Sequence, residues 1–183
     1  MPTLVHGFDW PDRIVIGTIG VPGSRAFYLQ ARTGVRMVTV ALEKEQSAIL
    51  ARTIDELLDE LMLGESSTLS IPAAMPLELI DNDPLEEFVE PLFRTGTISL
   101  GWDPTTAQIV LEAYAIVEVD GSILDDDEIE PSEMLVVRLP VGTARAFAAR
   151  TLEVVGAGRA LCPRCGEPMD PGGHMCPGSG DSL

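Results

Sequence analysis

The sequence predicts an α+β protein made of duplicated βββα units with antiparallel sheet or sheets, ending in a small C-terminal zinc knuckle. Three observations carry this reading. Short β-branched runs alternate with Gly- and Pro-containing turns, which is the pattern of a meander. Each set of three runs is followed by a segment whose apolar residues recur at helical spacing. All three cysteines fall between Cys162 and Cys176, interleaved with one of the two histidines.

The first run is Arg13–Gly20, closed by the turn Val21-Pro22-Gly23-Ser24. Arg25–Arg32 follows, then the turn Thr33-Gly34, then Arg36–Leu42. A helix is predicted from about Lys44 to Leu63, with Leu50, Ile54, Leu57, Leu58 and Leu61 forming one apolar stripe and Gly64 stopping it. Asp59 and Glu60 lie in its last turns, where the macrodipole disfavours acids, so packing has to hold that end. Residues 65–91 read as an acidic linker with four prolines, with a helical turn or two between Asp83 and Val89.

The pattern then restarts. Phe93–Trp102 and Ala107–Val117 are strands, Glu118–Glu133 an acidic loop, and Met134–Leu139 a third strand. A second helix is expected from about Thr143 to Val155, with Ala144, Phe147, Ala148, Leu152 and Val155 on one face, Thr143 as N-cap and Gly156 as stop. The units are thus 1–64 and 92–158, with the metal tail over 159–183. Shared strings in the same order (Gly17-Thr-Ile and Gly96-Thr-Ile, Ala51-Arg-Thr and Ala149-Arg-Thr) suggest a duplication, though the element order weighs more than the letters. Ahead of the first strand, His6–Arg13 reads as an arm that packs Phe8 and Trp10 onto a sheet.

Composition limits function. With 45% hydrophobic residues the chain is globular, and it contains no apolar run of membrane-spanning length. The N-terminus lacks the basic-then-apolar order of a secretory signal, so a cytoplasmic protein is expected. The net charge of −17 repels phosphate backbones and anionic membranes. Lys44 is the sole lysine, and no basic stripe with aromatics is present, which argues against nucleic-acid binding.

The tail is the most specific signal. Cys162, Cys165, His174 and Cys176 are spaced C-x2-C-x8-H-x-C. A C-x2-C turn aims two sulfurs at one point, and Gly166 relieves the backbone after it. Cys3His is a closed tetrahedral set, which points to a structural Zn2+. A redox C-x-x-C is disfavoured because Cys162 follows a helix instead of opening one. A zinc deaminase is disfavoured because His6 is followed by Gly7-Phe8, not by x-Glu. Gly17–Gly23 lacks the Gly-Lys-Ser/Thr of a phosphate loop and reads as a hairpin turn. Asp125–Glu128 lacks calcium-loop spacing and reads as a solvated run.

The string Cys162-Pro163, Cys165-Gly166, Pro168, Asp170-Pro171, Gly173-His174, Cys176-Pro177 resembles the C-terminal motif of an uncharacterised actinobacterial protein family of about this length. The resemblance extends to Phe8-Asp9, Pro11-Asp12-Arg13, Gly17-Thr18, Pro22-Gly23 and Tyr28-Leu29-Gln30-Ala31. It implies no defined activity. Members tend to be encoded beside a lipid-kinase-like and a phosphomutase-like protein, which implies a shared pathway and makes neighbouring-gene products the first candidates for a protein partner. The sequence therefore reads as a non-enzymatic, zinc-stabilised accessory or interaction protein, with no catalytic constellation. The alternative is an enzyme or small-ligand binder with a site between the two halves, lined by Arg25, Arg32, Arg36, Arg94 and Arg138. His6 is then the one imidazole left for general-base work. A third reading, nucleic-acid binding through Arg145, Arg150, Arg159 and Arg164, is the weakest.

Overall fold

The computed structural model describes residues 2–64, 71–86, 90–119, 122–123, 130–158, 160–169 and 174–176. The strands are β1 (Leu4–Asp9), β2 (Arg13–Ile19), β3 (Ala26–Thr33), β4 (Arg36–Leu42), β5 (Thr95–Asp103), β6 (Gln108–Ala115), β7 (Glu118–Val119), β8 (Ser122–Ile123) and β9 (Glu133–Pro140). The helices are α1 (Lys44–Leu63) and α2 (Val141–Gly156). One sheet has the order β1-β9-β6-β5, a second β2-β3-β4, and β7-β8 form a small hairpin within the segment read as an acidic loop.

The sheets meet along one edge. Ala41 donates to the carbonyl of Phe93 at 3.0 Å, and Leu92 to that of Thr39 at 2.9 Å, so the approach to β5 runs parallel to β4. At the opposite edges the chain passes directly from β1 to β2. Trp10 N–H reaches the carbonyl of Arg138 and Asp12 N–H that of Arg32.

Here the expected antiparallel architecture needs correction. β1 pairs in parallel with β9, from Leu4 opposite Glu133 to Asp9 opposite Arg138, so this sheet is mixed. The segment read as an arm is thus an edge strand. Leu-Val-His-Gly-Phe-Asp carries no clean alternation, and its partner lies over a hundred residues away, so no local pattern announces it. Phe8 packs into the core as expected, whereas Trp10 is 65% exposed with φ of 53°.

α1 has the predicted boundaries and ends at Gly64. Leu50, Ile54 and Leu58, one turn apart, are buried with Ala51, and full burial of each large side chain contributes about 1.5–3 kcal/mol. At its start, Gln46 accepts the Glu43 N–H at 2.8 Å and donates to the carbonyls of Thr95 and Gly96, pinning the helix to the irregular start of β5. α2 begins two residues before the expected Thr143, with Pro140 as N-cap, because a proline with fixed φ stands immediately before the first turn. It runs through Gly156, since the Ala157 N–H still reaches the carbonyl of Glu153.

One apolar core joins both sheets and both helices. It holds Ile16, Leu29 and Val40 from one sheet, Leu111, Leu135 and Val137 from the other, and Ile54, Leu58 and Phe147 from the helices. Arg145 ties α2 to α1: its guanidinium, 5% exposed, bonds Asp55 and Asp59 at 2.9 Å each and the carbonyl of Pro72. Of the two unfavourable acids near the end of α1, Asp59 is therefore a partner for a buried cation.

Within the segment read as a linker, residues 81–86 dock along β2 and β3. Arg13 grips Asp81 through two nitrogens and the carbonyls of Asp83 and Pro84. Arg150 from α2 bonds the same carboxylate at 2.9 Å. Gln30 exchanges bonds with both backbone groups of Glu86, whose carboxylate pairs with Arg32. The Asp81 carboxyl is held below its ordinary range chiefly by the Arg13 hydrogen bond. Leu85 lies over Gly17 so closely that a Cβ there would stand 2.6 Å from its Cγ. The expected helical turn overlaps residues 87–89, outside the described residues.

Gly17→Ala should consequently destabilise the fold. Overpacking costs about 1–3 kcal/mol, against about 0.4–1 kcal/mol gained from a less flexible unfolded chain. Urea unfolding should show a lower midpoint with an unchanged slope.

Candidate metal centre

The tail folds as a short hairpin just past α2. Cys162 N–H bonds the carbonyl of Glu167, Gly166 N–H returns to the carbonyl of Cys162, and Met169 N–H reaches Ala160, the two bonds of Cys162 being 2.8 Å. Leu161 and Pro168 face one another across it. The turn demands a left-handed residue after the second cysteine, and Gly166 supplies it with φ of 74°. The Arg164 N–H points back at the Cys162 sulfur, 3.4 Å away. Such N–H···S contacts favour a thiolate.

Residues 174–176 complete the site. The ligating atoms of Cys162, Cys165, His174 and Cys176 all lie within 4.8 Å of one another. Around one ion with sulfur at about 2.3 Å and nitrogen at about 2.0 Å, tetrahedral donors stand roughly 3.5–3.8 Å apart. The Cys165 Sγ to His174 Nε2 distance of 3.6 Å falls in that range. The four residues named by spacing are thus positioned together to bind a metal ion. All three cysteines are free of disulfides.

The electrostatics agree with a ligand set. The Cys162 thiol is lowered to about 6, first by the backbone N–H of Cys165, then by that of Arg164. Three thiols and an imidazole this close compete for protons, and a cation relieves that competition by taking all four lone pairs.

The other sequence candidates are dispersed. His6 Nε2 lies 2.8 Å from Glu133, on the edge strand, remote in register from any cysteine. Of the five arginines expected to converge between the halves, each has its own engagement. Arg25 bonds the carbonyl of Val154, Arg32 pairs with Glu86, and Arg36 bonds the carbonyl of Gly7 and lies over Phe8. Arg94 pairs with Glu43, and Arg138 with Asp103. Arg145 and Arg150 are spent inside the fold, so the tail's least acidic stretch does not present them to a nucleic acid. Arg159 and Asp125–Glu128 lie outside the described residues. Of the segment read as a hairpin turn, Gly17–Ile19 end β2 and only the residues from Gly20 onward form the turn to β3, with Gly20 and Gly23 at positive φ. Sequence reasoning missed the polar cluster of Asp9, Asp103, Gln108 and Arg138, in which Gln108 is buried and bonded to Asp9 at 2.8 Å. No local spacing signals it, since its members come from four strands or their ends.

Comparison with known proteins places residues 6–176 in one family model, described as a protein of unknown function (DUF3090). The chain belongs to that family. No curated protein and no solved structure matches it.

Replacing Cys162, Cys165 or Cys176 by Ser, or His174 by Ala, should reduce bound metal from about one ion per chain toward none. Elemental analysis after gel filtration reads this directly. His6→Ala should leave the metal content unchanged.

Proposed function

We propose that this member of the family is a non-enzymatic accessory or interaction protein whose tail is closed by a structural Zn2+. The observation that carries the reading is the four-donor cluster itself. Three sulfurs and one imidazole nitrogen suit zinc by softness and number, and leave no position for a substrate. Such a knuckle has almost no core of its own: Cys162 is its one buried apolar residue among those described. Its fold therefore depends on the ion, and metal binding is folding for this segment.

The body supports the same reading from the other side. Apart from β1, which pairs with β9, each half has three strands and then a helix, β2–β4 with α1 and β5, β6 and β9 with α2, with β7–β8 inserted. This order favours a duplicated βββα ancestry. One apolar cluster draws side chains from both halves. No described helix is long and apolar enough to cross a membrane. A cytoplasmic location fits cysteines read as metal ligands instead of disulfides.

The test is metal analysis followed by function. The purified chain should hold about one zinc, and cobalt exchange should give the absorption of a tetrahedral thiolate site. Native co-purification should recover a protein partner, with neighbouring-gene products as the first suspects, and Cys165→Ser should lose that partner while its far-UV spectrum stays native in the body. A folded knuckle without metal overturns the structural-zinc reading. Turnover in a broad substrate screen overturns the non-enzymatic one.

A further inference from the structure

Between the first half and the end of α2 lies an open groove of about 760 Å³, a size usual for small-ligand sites. Arg25, Phe27 and Lys44 line it on one side, and Val155, Leu161 and Pro168 on the other. Leu161 and Pro168 are the facing pair of the metal knuckle, so the knuckle forms one wall.

Two cations stand together in this groove. Among the described residues Arg13, Arg32, Arg94, Arg138, Arg145 and Arg150 each lie within 4.0 Å of a carboxylate. Arg36, Arg52 and Arg164 have no such partner among them, and neither have Arg25 and Lys44. Yet the last two converge: a Cβ on Gly158 would stand 3.4 Å from Arg25 Nη2 and 3.5 Å from Lys44 Nζ. Arg25 is held in place by the Val154 carbonyl at 3.0 Å and by stacking over Phe27, leaving its other terminal nitrogen toward Gly158. Glu43, the one acid on the groove wall among the described residues, is engaged by Arg94. In a chain with 29 acids and 12 basic residues, two adjacent cations left without a carboxylate repel one another until an anion joins them.

We propose that this groove binds a small organic anion, with its phosphate or carboxylate between Arg25 and Lys44 and its apolar body against Val155, Leu161 and Pro168. Arginine offers a planar fork and lysine a mobile point charge, a pair suited to either head group. Gly158 matters because its missing side chain leaves room for the head group where both nitrogens point.

The test is calorimetric titration of the purified, metal-loaded full chain with phenyl phosphate and with benzoate, the two head groups on one apolar body. At least one should bind with a stoichiometry of one and weaken as salt is raised. Lys44→Ala, at an exposed helix start, should weaken it about tenfold, as should Arg25→Ala. Arg52→Ala, a cation on the exposed face of α1, should change nothing. Because Arg25 also holds the end of α2, Lys44→Ala is the deciding variant if Arg25→Ala fails to fold. Stronger binding of phenyl phosphate assigns the site to phosphates, and of benzoate to carboxylates. The proposal is overturned if neither probe binds, if Lys44→Ala binds as well as Arg52→Ala, or if benzyl alcohol binds as tightly as the anions.

Discussion

A chain with 29 carboxylates and 12 basic side chains folds against its own charge, and the placing of the few cations governs the rest of the structure. Most of the arginines join elements far apart in sequence. Arg145 brings α2 onto the acidic end of α1, Arg13 and Arg150 converge on Asp81, and Arg94 reaches Glu43 at the head of α1. These pairs range from well exposed to nearly buried, and their worth differs accordingly. Arg94–Glu43, largely exposed, contributes little, whereas Arg145 is enclosed and loss of Asp55 and Asp59 would leave its buried charge without a counter-ion.

The pairing also decides where the acidic segment goes. Residues 81–86 would be expected to trail in solvent, since carboxylates and prolines favour hydration and extended backbone. Instead Asp81 bridges two arginines, Glu86 meets Arg32 and Gln30, and Leu85 fills the space that Gly17 leaves. The glycine in β2 thus serves packing by a distant leucine, a role with no local sign. Arg25 and Lys44, by contrast, converge on Gly158 in the groove beside the knuckle without a carboxylate between them among the described residues.

The knuckle obeys a different rule. It is too small for a core and too rich in proline and glycine for regular structure, so its order comes from backbone bonds around Gly166 and from the convergence of four donors. It is nevertheless coupled to the body through its Leu161–Pro168 face, which closes one side of the groove.

What the sequence determined by itself was whatever short-range geometry dictates. The extent of α1 follows from a 3.6-residue stripe ending in Gly64, the hairpin turns follow from Gly20, Gly23 and Gly34, and the Cys162, Cys165, His174 and Cys176 set follows from a turn and a two-residue period. Tertiary structure decided what depends on a partner remote in sequence. It made Leu4–Asp9 a parallel edge strand, whose partner β9 lies over a hundred residues on. It joined the two sheets at Ala41 and Arg94. It also chose which arginine meets which acid, and local pattern is silent there because an ion pair needs only proximity and opposite sign, and 29 acids offer too many choices.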